Sequence, residues 1–122
     1  MTSNELKLRT KNFSILIINL VEKLPNTIAG KTIANQIIRS GTSVGANYRA
    51  VCRARSDREF ISKMNIVLEE ADETMFWLEL IMDRKWFNEN EVSNLLDEGN
   101  QLTAIFVSSL KTVNTRISNT KI

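Results

Sequence analysis

Histidine is absent from the 122-residue chain, and cysteine occurs once, as Cys52. Without histidine, the Ser-His-Asp and Cys-His arrangements that activate nucleophiles cannot form within the chain, and neither can the Glu-x-x-His motif of di-iron helix bundles. A lone cysteine excludes an internal disulfide, and free cysteines are usually small buried apolar residues, which is how we interpret Cys52. We therefore expect a protein that is not an enzyme and that carries no cofactor or catalytic metal.

Proline, glycine and long apolar runs are also scarce. One proline and four glycines leave few positions that interrupt helices, which favours an all-α fold. The longest apolar stretch, residues 13–21, is broken by Ser14 and Asn19 and is far shorter than the roughly 20 residues of a transmembrane helix. The first basic residues alternate with leucine, which is not typical of a signal peptide. We expect a cytoplasmic protein that does not cross a membrane.

Apolar residues recur at helical spacings of three, four and seven in four segments of the chain. The predicted helices cover about residues 4–24, 28–54, 56–85 and 88–116. Ser56 and Glu59 have the spacing of a capping box at the start of the third helix. Asn88 is the corresponding candidate N-cap of the fourth helix. Because short links favour antiparallel neighbours, we predict one all-α domain over residues 1–122, an antiparallel up-down-up-down four-helix bundle with a frayed tail at 118–122.

Small and polar residues concentrate in the middle of the predicted second helix. Gly41 and Gly45 lie on its inward face at i, i+4 spacing, where a missing side chain lets a neighbouring helix approach closely. This interpretation is favoured over a phosphate loop because no strand precedes the glycines. Ser40 and Asn47 lie at the edge of the core face, where we predict hydrogen bonds across helices that fix their register.

Charge is divided unevenly between the two halves of the chain. Residues 1–63 carry 11 Lys/Arg and 4 Asp/Glu, a balance of +7, whereas residues 64–122 carry 5 Lys/Arg and 10 Asp/Glu, a balance of −5. The two halves sum to the net charge of +2. Such asymmetry indicates either a polyanionic partner or self-association between unlike faces.

The predicted outer face of the second helix is basic. Its cations surround two small residues, Ala46 and Ala50, and continue beyond the following turn. The cations are Lys31, Arg39, Arg49, Arg53, Arg55, Arg58 and Lys63. They either bind phosphates with release of counterions or pair with an acidic face of a neighbouring copy, and an ordinary solvated face is the third interpretation.

The predicted outer face of the third helix is both apolar and acidic, although a helix that packs in one bundle should have a polar back. Its residues are Ile66, Glu69, Glu70, Glu73, Phe76, Trp77 and Leu80. Exposed aromatic residues beside aliphatic ones indicate a protein contact, so we predict that this set, apart from Glu70, forms an oligomer interface. Alternatively, loop crossings or the first helix cover Trp77. The carboxylates suit Mg²⁺ or Mn²⁺, but no facing pair is identified, which favours salt bridges or solvation.

Two runs of residues resemble the 23S rRNA intervening-sequence (S23) four-helix-bundle family. The first run is QIIRSGTSVGANYR at residues 36–49, followed by RARS at 53–56 and EFISK at 59–63. The second is LEEADET at residues 68–74, followed by WLEL at 77–80. The resemblance spans residues 36–80, in the right order and with the right length throughout.

The resemblance implies a small bacterial protein, often encoded within an insertion in a 23S rRNA gene, whose relatives assemble as barrel-like homopentamers. One relative, the accessory variability determinant protein of diversity-generating retroelements, binds nucleic acid and a reverse transcriptase through a basic surface. Carried over by position, that role would fall on Arg39, Arg49, Arg53, Arg55 and Arg58. Many relatives have Glu where this chain has Ala50, which makes its second helix more basic.

The leading hypothesis is a non-enzymatic homo-oligomer, pentameric like the relatives, that binds structured RNA or other nucleic acid through the basic face. A single tyrosine argues against base-stacking recognition of single strands, which uses several exposed aromatic residues. The alternative is a protein-interaction adaptor, in which the charged faces serve ring assembly and dock a protein partner. A metal-dependent hydrolase is the least favoured interpretation.

Overall fold

The computed structural model describes residues 1–120, which form four α-helices and no β-strand. The helices are α1 (Ser3–Val21), α2 (Ile28–Val51), α3 (Asp57–Arg84) and α4 (Glu89–Thr120). Each helix contacts the next in chain order, and α4 returns to α1 through a sparser seam. In the described part of the chain the backbones of α1 and α3, and those of α2 and α4, do not approach closely, so these pairs are diagonal and meet only through core side chains such as the stacked rings of Tyr48 and Phe106. The predicted all-α four-helix bundle is confirmed. No helix within residues 1–120 has the length and hydropathy needed to span a bilayer.

Each of the first three helices is capped at its N-terminus by a side-chain oxygen that accepts a hydrogen bond from a backbone amide. Thr2 and Glu5 form a reciprocal capping box at α1, which the sequence analysis missed, and Thr27 accepts from the Gly30 amide at α2. At α3, Ser56 accepts from the Glu59 amide at 3.1 Å, as predicted. The Glu59 carboxylate does not complete the box, because it lies between two cations.

The ends of α1 and α2 fall three residues before their predicted positions. Both helices tighten into i→i−3 hydrogen bonds, Leu24 to Val21 after α1 and Ala54 to Val51 after α2, so the apolar pattern continues where the α-helix has ended. Helix α4 extends four residues beyond its predicted end at 116, so residues 118–120 of the predicted tail are helical, and residues 121–122 lie outside the described part.

The core is closely packed where α1 crosses α2. A Cβ atom added to Gly41 would lie 2.8 Å from Cγ2 of Ile17, which is fully buried, and the Ser14 hydroxyl donates to the Gly41 carbonyl at 3.1 Å. At Gly45, an added Cβ would lie 3.3 Å from the Thr10 backbone. The predicted close approach at these two glycines is confirmed.

A buried polar contact joins α2 to α3 inside the core. The hydroxyls of Ser40 and Thr74 share a hydrogen bond of 3.0 Å, and Thr74 also donates to the Glu70 carbonyl at 2.8 Å. The predicted cross-helix bond of Ser40 is therefore confirmed. The one predicted for Asn47 is wrong, because its amide donates to the Ser43 carbonyl within α2.

The sparse α1–α4 seam leaves apolar surface open. Arg9 closes one end of it by donating to Glu98 at 2.6 and 2.8 Å and to Gln101 at 2.6 Å. Leu16 follows one heptad later on the same edge of α1 and remains 48% exposed, although its spacing predicts a core position. The physical reason is that α4 packs only sparsely against α1.

Candidate nucleic-acid interface

Arg39, the first of the predicted phosphate-binding arginines, is already bound within the chain. Its guanidinium donates to both carboxylate oxygens of Glu73 at 2.6 Å and to Glu70 at 3.1 Å, across the outer edge of the α2–α3 contact. The hydrogen bond from Arg39 holds the pKa of Glu73 below its ordinary value, and the Trp77 indole N–H lies 3.5 Å from the same carboxylate. Arg39 is therefore neutralised locally and does not belong to a free cationic surface.

Arg49 and Arg53 are free of such pairing. Both side chains are exposed, and no carboxylate within residues 1–120 lies at ion-pair distance from either. Arg49 lies in the last turn of α2, and Arg53 follows four residues later in the turn after the helix. Between them and α3 lies an open depression of about 620 Å³, floored by Ala46 and Ala50. The small side chains leave room for a ligand between the two guanidinium groups.

The far wall of this depression carries three charged side chains from the α2–α3 turn and the start of α3. Arg55, whose side chain is 89% exposed, places its Nε 3.7 Å from Glu59, and Lys63 places its Nζ 3.8 Å from the same carboxylate. Two cations share one anion, so this wall keeps a net positive charge. The structure thus brings Arg49, Arg53 and Arg55 together, as predicted from their sequence positions.

A second open depression, of about 480 Å³, continues the basic region from α2 onto α1. Lys7 and Lys11 line it, and Ala46 and Arg49 line both depressions, so the two are continuous. Sequence reasoning missed Lys7 and Lys11, although their i, i+4 spacing places them on one face of α1. We define the basic surface as Lys7, Lys11, Arg49, Arg53 and Arg55.

Arg58, the remaining predicted arginine, lies elsewhere. It is exposed in the first turn of α3 but lines neither depression, and the helical period places it on the α3 face that also carries Glu69. A ligand seated in the two depressions would therefore not contact Arg58 at the same time.

The predicted interface on α3 divides into exposed and partly covered residues. Ile66 and Phe76 are 44% and 51% exposed, and Glu69 is exposed. Trp77 and Leu80 are half-buried against the core, and Phe76 meets the Trp77 ring edge-on at a centroid distance of 5.0 Å. The predicted set also includes Glu73, whose carboxylate already binds Arg39. Ile66, Glu69 and Phe76 remain free for a partner.

The end of the bundle holds a third depression, of about 430 Å³, beside the single cysteine. Cys52 is half-buried rather than buried, and burial raises the pKa of the adjacent Tyr48 hydroxyl. Across the depression, Arg116 donates to Asp57 at 2.8 Å and lowers the pKa of that carboxyl. Within residues 1–120, no three His, Cys, Asp or Glu side chains group as metal ligands would.

Comparison with known proteins relates both the sequence and the fold to one family. Residues 3–108 match the family described as 23S rRNA-intervening sequence protein. A crystal structure at 1.70 Å resolution, of a protein of unknown function from the S23 ribosomal protein family of Bacteroides thetaiotaomicron, is 34% identical to this chain. The two superpose with a TM-score of 0.79 over 86% of this chain and 97% of the other. Among proteins with curated descriptions, none matches.

Proposed function

The chain belongs to the 23S rRNA-intervening sequence protein family, and on this premise we propose that it is a non-enzymatic homo-oligomer that binds structured RNA through its basic surface. The observation that carries the proposal is the continuity of the two depressions, which unite cations from α1, α2 and the α2–α3 turn. The homopentameric state follows the resemblance described above.

The exposure of two unpaired arginines on the basic surface favours phosphate as the ligand. Arg49 and Arg53 are exposed and unpaired within residues 1–120, so binding a phosphate does not first require breaking an ion pair. Each cation that meets a phosphate releases counterions from the nucleic acid, which supplies sequence-independent affinity. Arginine is also suited to bidentate contact with phosphate oxygens.

The lining of the depressions favours recognition of the backbone over the bases. No aromatic side chain lines either depression in the described part of the chain, and the only tyrosine, Tyr48, is buried. Single-strand binders normally stack bases on exposed aromatic residues. Double-stranded RNA is recognised by shape and by phosphate and 2′-hydroxyl contacts. A folded or double-stranded RNA therefore fits this surface best.

The test compares two double variants of equal charge change in the full chain. Arg49→Gln with Arg53→Gln removes two cations from the basic surface, whereas Lys31→Gln with Lys111→Gln removes two exposed cations that line neither depression. Affinity for a fluorescent RNA hairpin is measured by anisotropy at one salt concentration. We expect the first variant to bind about 10-fold or more weakly than the control, because two phosphate contacts are lost.

Equal affinities of the two variants would contradict the proposal, because binding would then depend on net charge rather than on this surface. Circular dichroism confirms that each variant is folded. All four substituted side chains are exposed; Lys31, Arg49 and Lys111 lie on helices, where glutamine is a good helix former, and Arg53 lies in the turn after α2.

The exposed apolar residues of α3 favour a second candidate function, a protein-interaction adaptor. Ile66 and Phe76 lie among carboxylates, and such a face suits a partner that is apolar and basic. An adaptor would not bind the RNA hairpin. The anisotropy experiment thus separates the two candidates.

A further inference from the structure

The outer face of α1, like that of α3, carries apolar side chains that are exposed to solvent. Leu8 and Ile15 are 61% and 44% exposed and lie one heptad apart, about 10 Å along the helix. Between and beyond them lie Asn12 and Asn19, which are exposed and uncharged. Leu16 borders the same face. An exposed stripe of this kind indicates a contact surface rather than solvated helix.

The apolar face of α3 lies on the other side of the molecule. Because α1 and α3 are diagonal in the bundle and their backbones do not approach closely within residues 1–120, neither outer face can cover the other in the same copy. Phe76 and Ile66 of α3 are therefore in the same situation as Leu8 and Ile15 of α1. Each pair needs a second molecule to become buried.

The charges that border the outer faces of α1 and α3 determine which of these faces can bind each other. Between residues 64 and 83, α3 contains no lysine or arginine, and its outer face carries exposed carboxylates at Glu69, Asp72 and Glu79. Two α3 faces in contact would oppose like charges, which is costly. The α1 face has no carboxylate between residues 6 and 21, and Lys7 and Lys11 border it. The two faces are thus apolar at the centre and opposite in charge at the edge.

We propose that the outer face of α1 in one copy binds the outer face of α3 in a second copy. This inference rests on the proposed function, since it specifies the contact that makes the homo-oligomer. A contact between unlike faces is heterologous, so every copy offers one α1 face and one α3 face. The assembly closes into a ring when the rotation per copy allows it. The basic surface of one copy then adjoins the acidic face of the next.

Two face-blocking variants of the full chain test the pairing by complementation. Leu8→Asp with Ile15→Asp blocks the α1 face, and Ile66→Asp with Phe76→Asp blocks the α3 face. All four residues are exposed, so the fold is expected to remain, which circular dichroism checks. In sedimentation velocity, the wild type should be an oligomer and each variant alone a monomer. An equimolar mixture should form a heterodimer and nothing larger, because one intact α1 face meets one intact α3 face.

Three outcomes would overturn the pairing: a monomeric wild type, a variant that keeps the wild-type oligomer, or a mixture that stays monomeric. A second variant addresses the charged edge without touching apolar residues. Glu69→Lys with Asp72→Lys should dissociate the oligomer, and persistence of the oligomer would also count against the pairing. RNA binding is scored in the separate comparison of the Arg49 and Arg53 variant with its control, and not in these variants, because Leu8 also lines the second depression. Failure of the pairing is therefore distinguishable from failure of RNA binding.

Discussion

At the scale of single residues, Glu73 links the side chains of Arg39 and Trp77 on the outer edge of α2 and α3. It accepts two short hydrogen bonds from Arg39, and the Trp77 indole lies 3.5 Å away. The Arg39 hydrogen bond is the largest influence on its pKa, which it lowers. The ionised carboxylate is thus favoured more in the folded chain than in the unfolded one. Its contribution to stability is present above the unfolded-state pKa and is lost as the pH falls through the lowered folded-state pKa.

The expected consequence is an acid transition in the fluorescence of Trp77. In a Trp86→Phe background, acidification should protonate Glu73 at a pH below the ordinary range of glutamate and change the Trp77 signal. Adding Arg39→Gln should move this transition to higher pH, because the group that lowers the pKa of Glu73 is gone. Arg116→Gln, which frees Asp57 instead, serves as the control and should not move it. A transition that stays in place in Arg39→Gln would show that Arg39 does not set the pKa of Glu73.

Two glycines give a stability prediction that depends on what surrounds each of them. An alanine methyl at Gly41 meets the β-branched and fully buried Ile17, whereas one at Gly99 meets the flexible thioether of Met75. We expect Gly41→Ala to lower the free energy of unfolding by about 1 to 3 kcal/mol, as overpacking does. Gly99→Ala should cost less, because Met75 can change rotamer. Urea denaturation measures both, and equal effects would contradict the packing at the α1–α2 crossing.

The role of Arg39 could not be predicted from the sequence, whereas the contact of Ser40 could. Helical period places Ser40 at the edge of the core, where a hydroxyl needs a partner, and Thr74 supplies it. The same period places Arg39 outside, but it does not give the register between α2 and α3. That register decides whether Glu70 and Glu73 come within reach.

At the scale of helices, the starts were more predictable than the ends because starts carry a local chemical signal. Ser56 before α3 was recognisable as a cap and accepts from the Glu59 amide. The caps at the ends of α1 and α2, Glu22 and Cys52, keep right-handed helical dihedrals, so no glycine marks them. Lys85 after α3 has a φ of 58°, and the end predicted there was correct.

Removal of the α3 cap tests this local signal. Ser56→Ala should lower the free energy of unfolding by about 1 kcal/mol, because the Glu59 amide loses its acceptor. Ser62→Ala, an exposed serine inside the same helix, is the matched control and should not destabilise the protein. Urea denaturation at neutral pH compares the two. A Ser56 variant as stable as the control would mean that the turn before α3 is held by other contacts.

At the scale of the whole molecule, the basic and acidic halves of the sequence occupy different helices of the bundle. The basic half contains α1 and α2, and the acidic half contains most of α3 and all of α4. Of the five predicted arginines, Arg49, Arg53 and Arg55 come together, whereas Arg39 is paired and Arg58 lies apart. Lys7 and Lys11 were missed, because only the antiparallel packing of α1 on α2 brings them beside Arg49.

The most direct test of RNA binding through the basic surface is the salt dependence of the affinity for an RNA hairpin. The logarithm of the binding constant should fall linearly and steeply with the logarithm of salt concentration in the wild type. With Arg49→Gln and Arg53→Gln the slope should be shallower by about 1.4 to 1.8, at about 0.7 to 0.9 for each lost phosphate contact. An affinity that does not depend on salt, or a slope that both substitutions leave unchanged, would contradict binding through this surface.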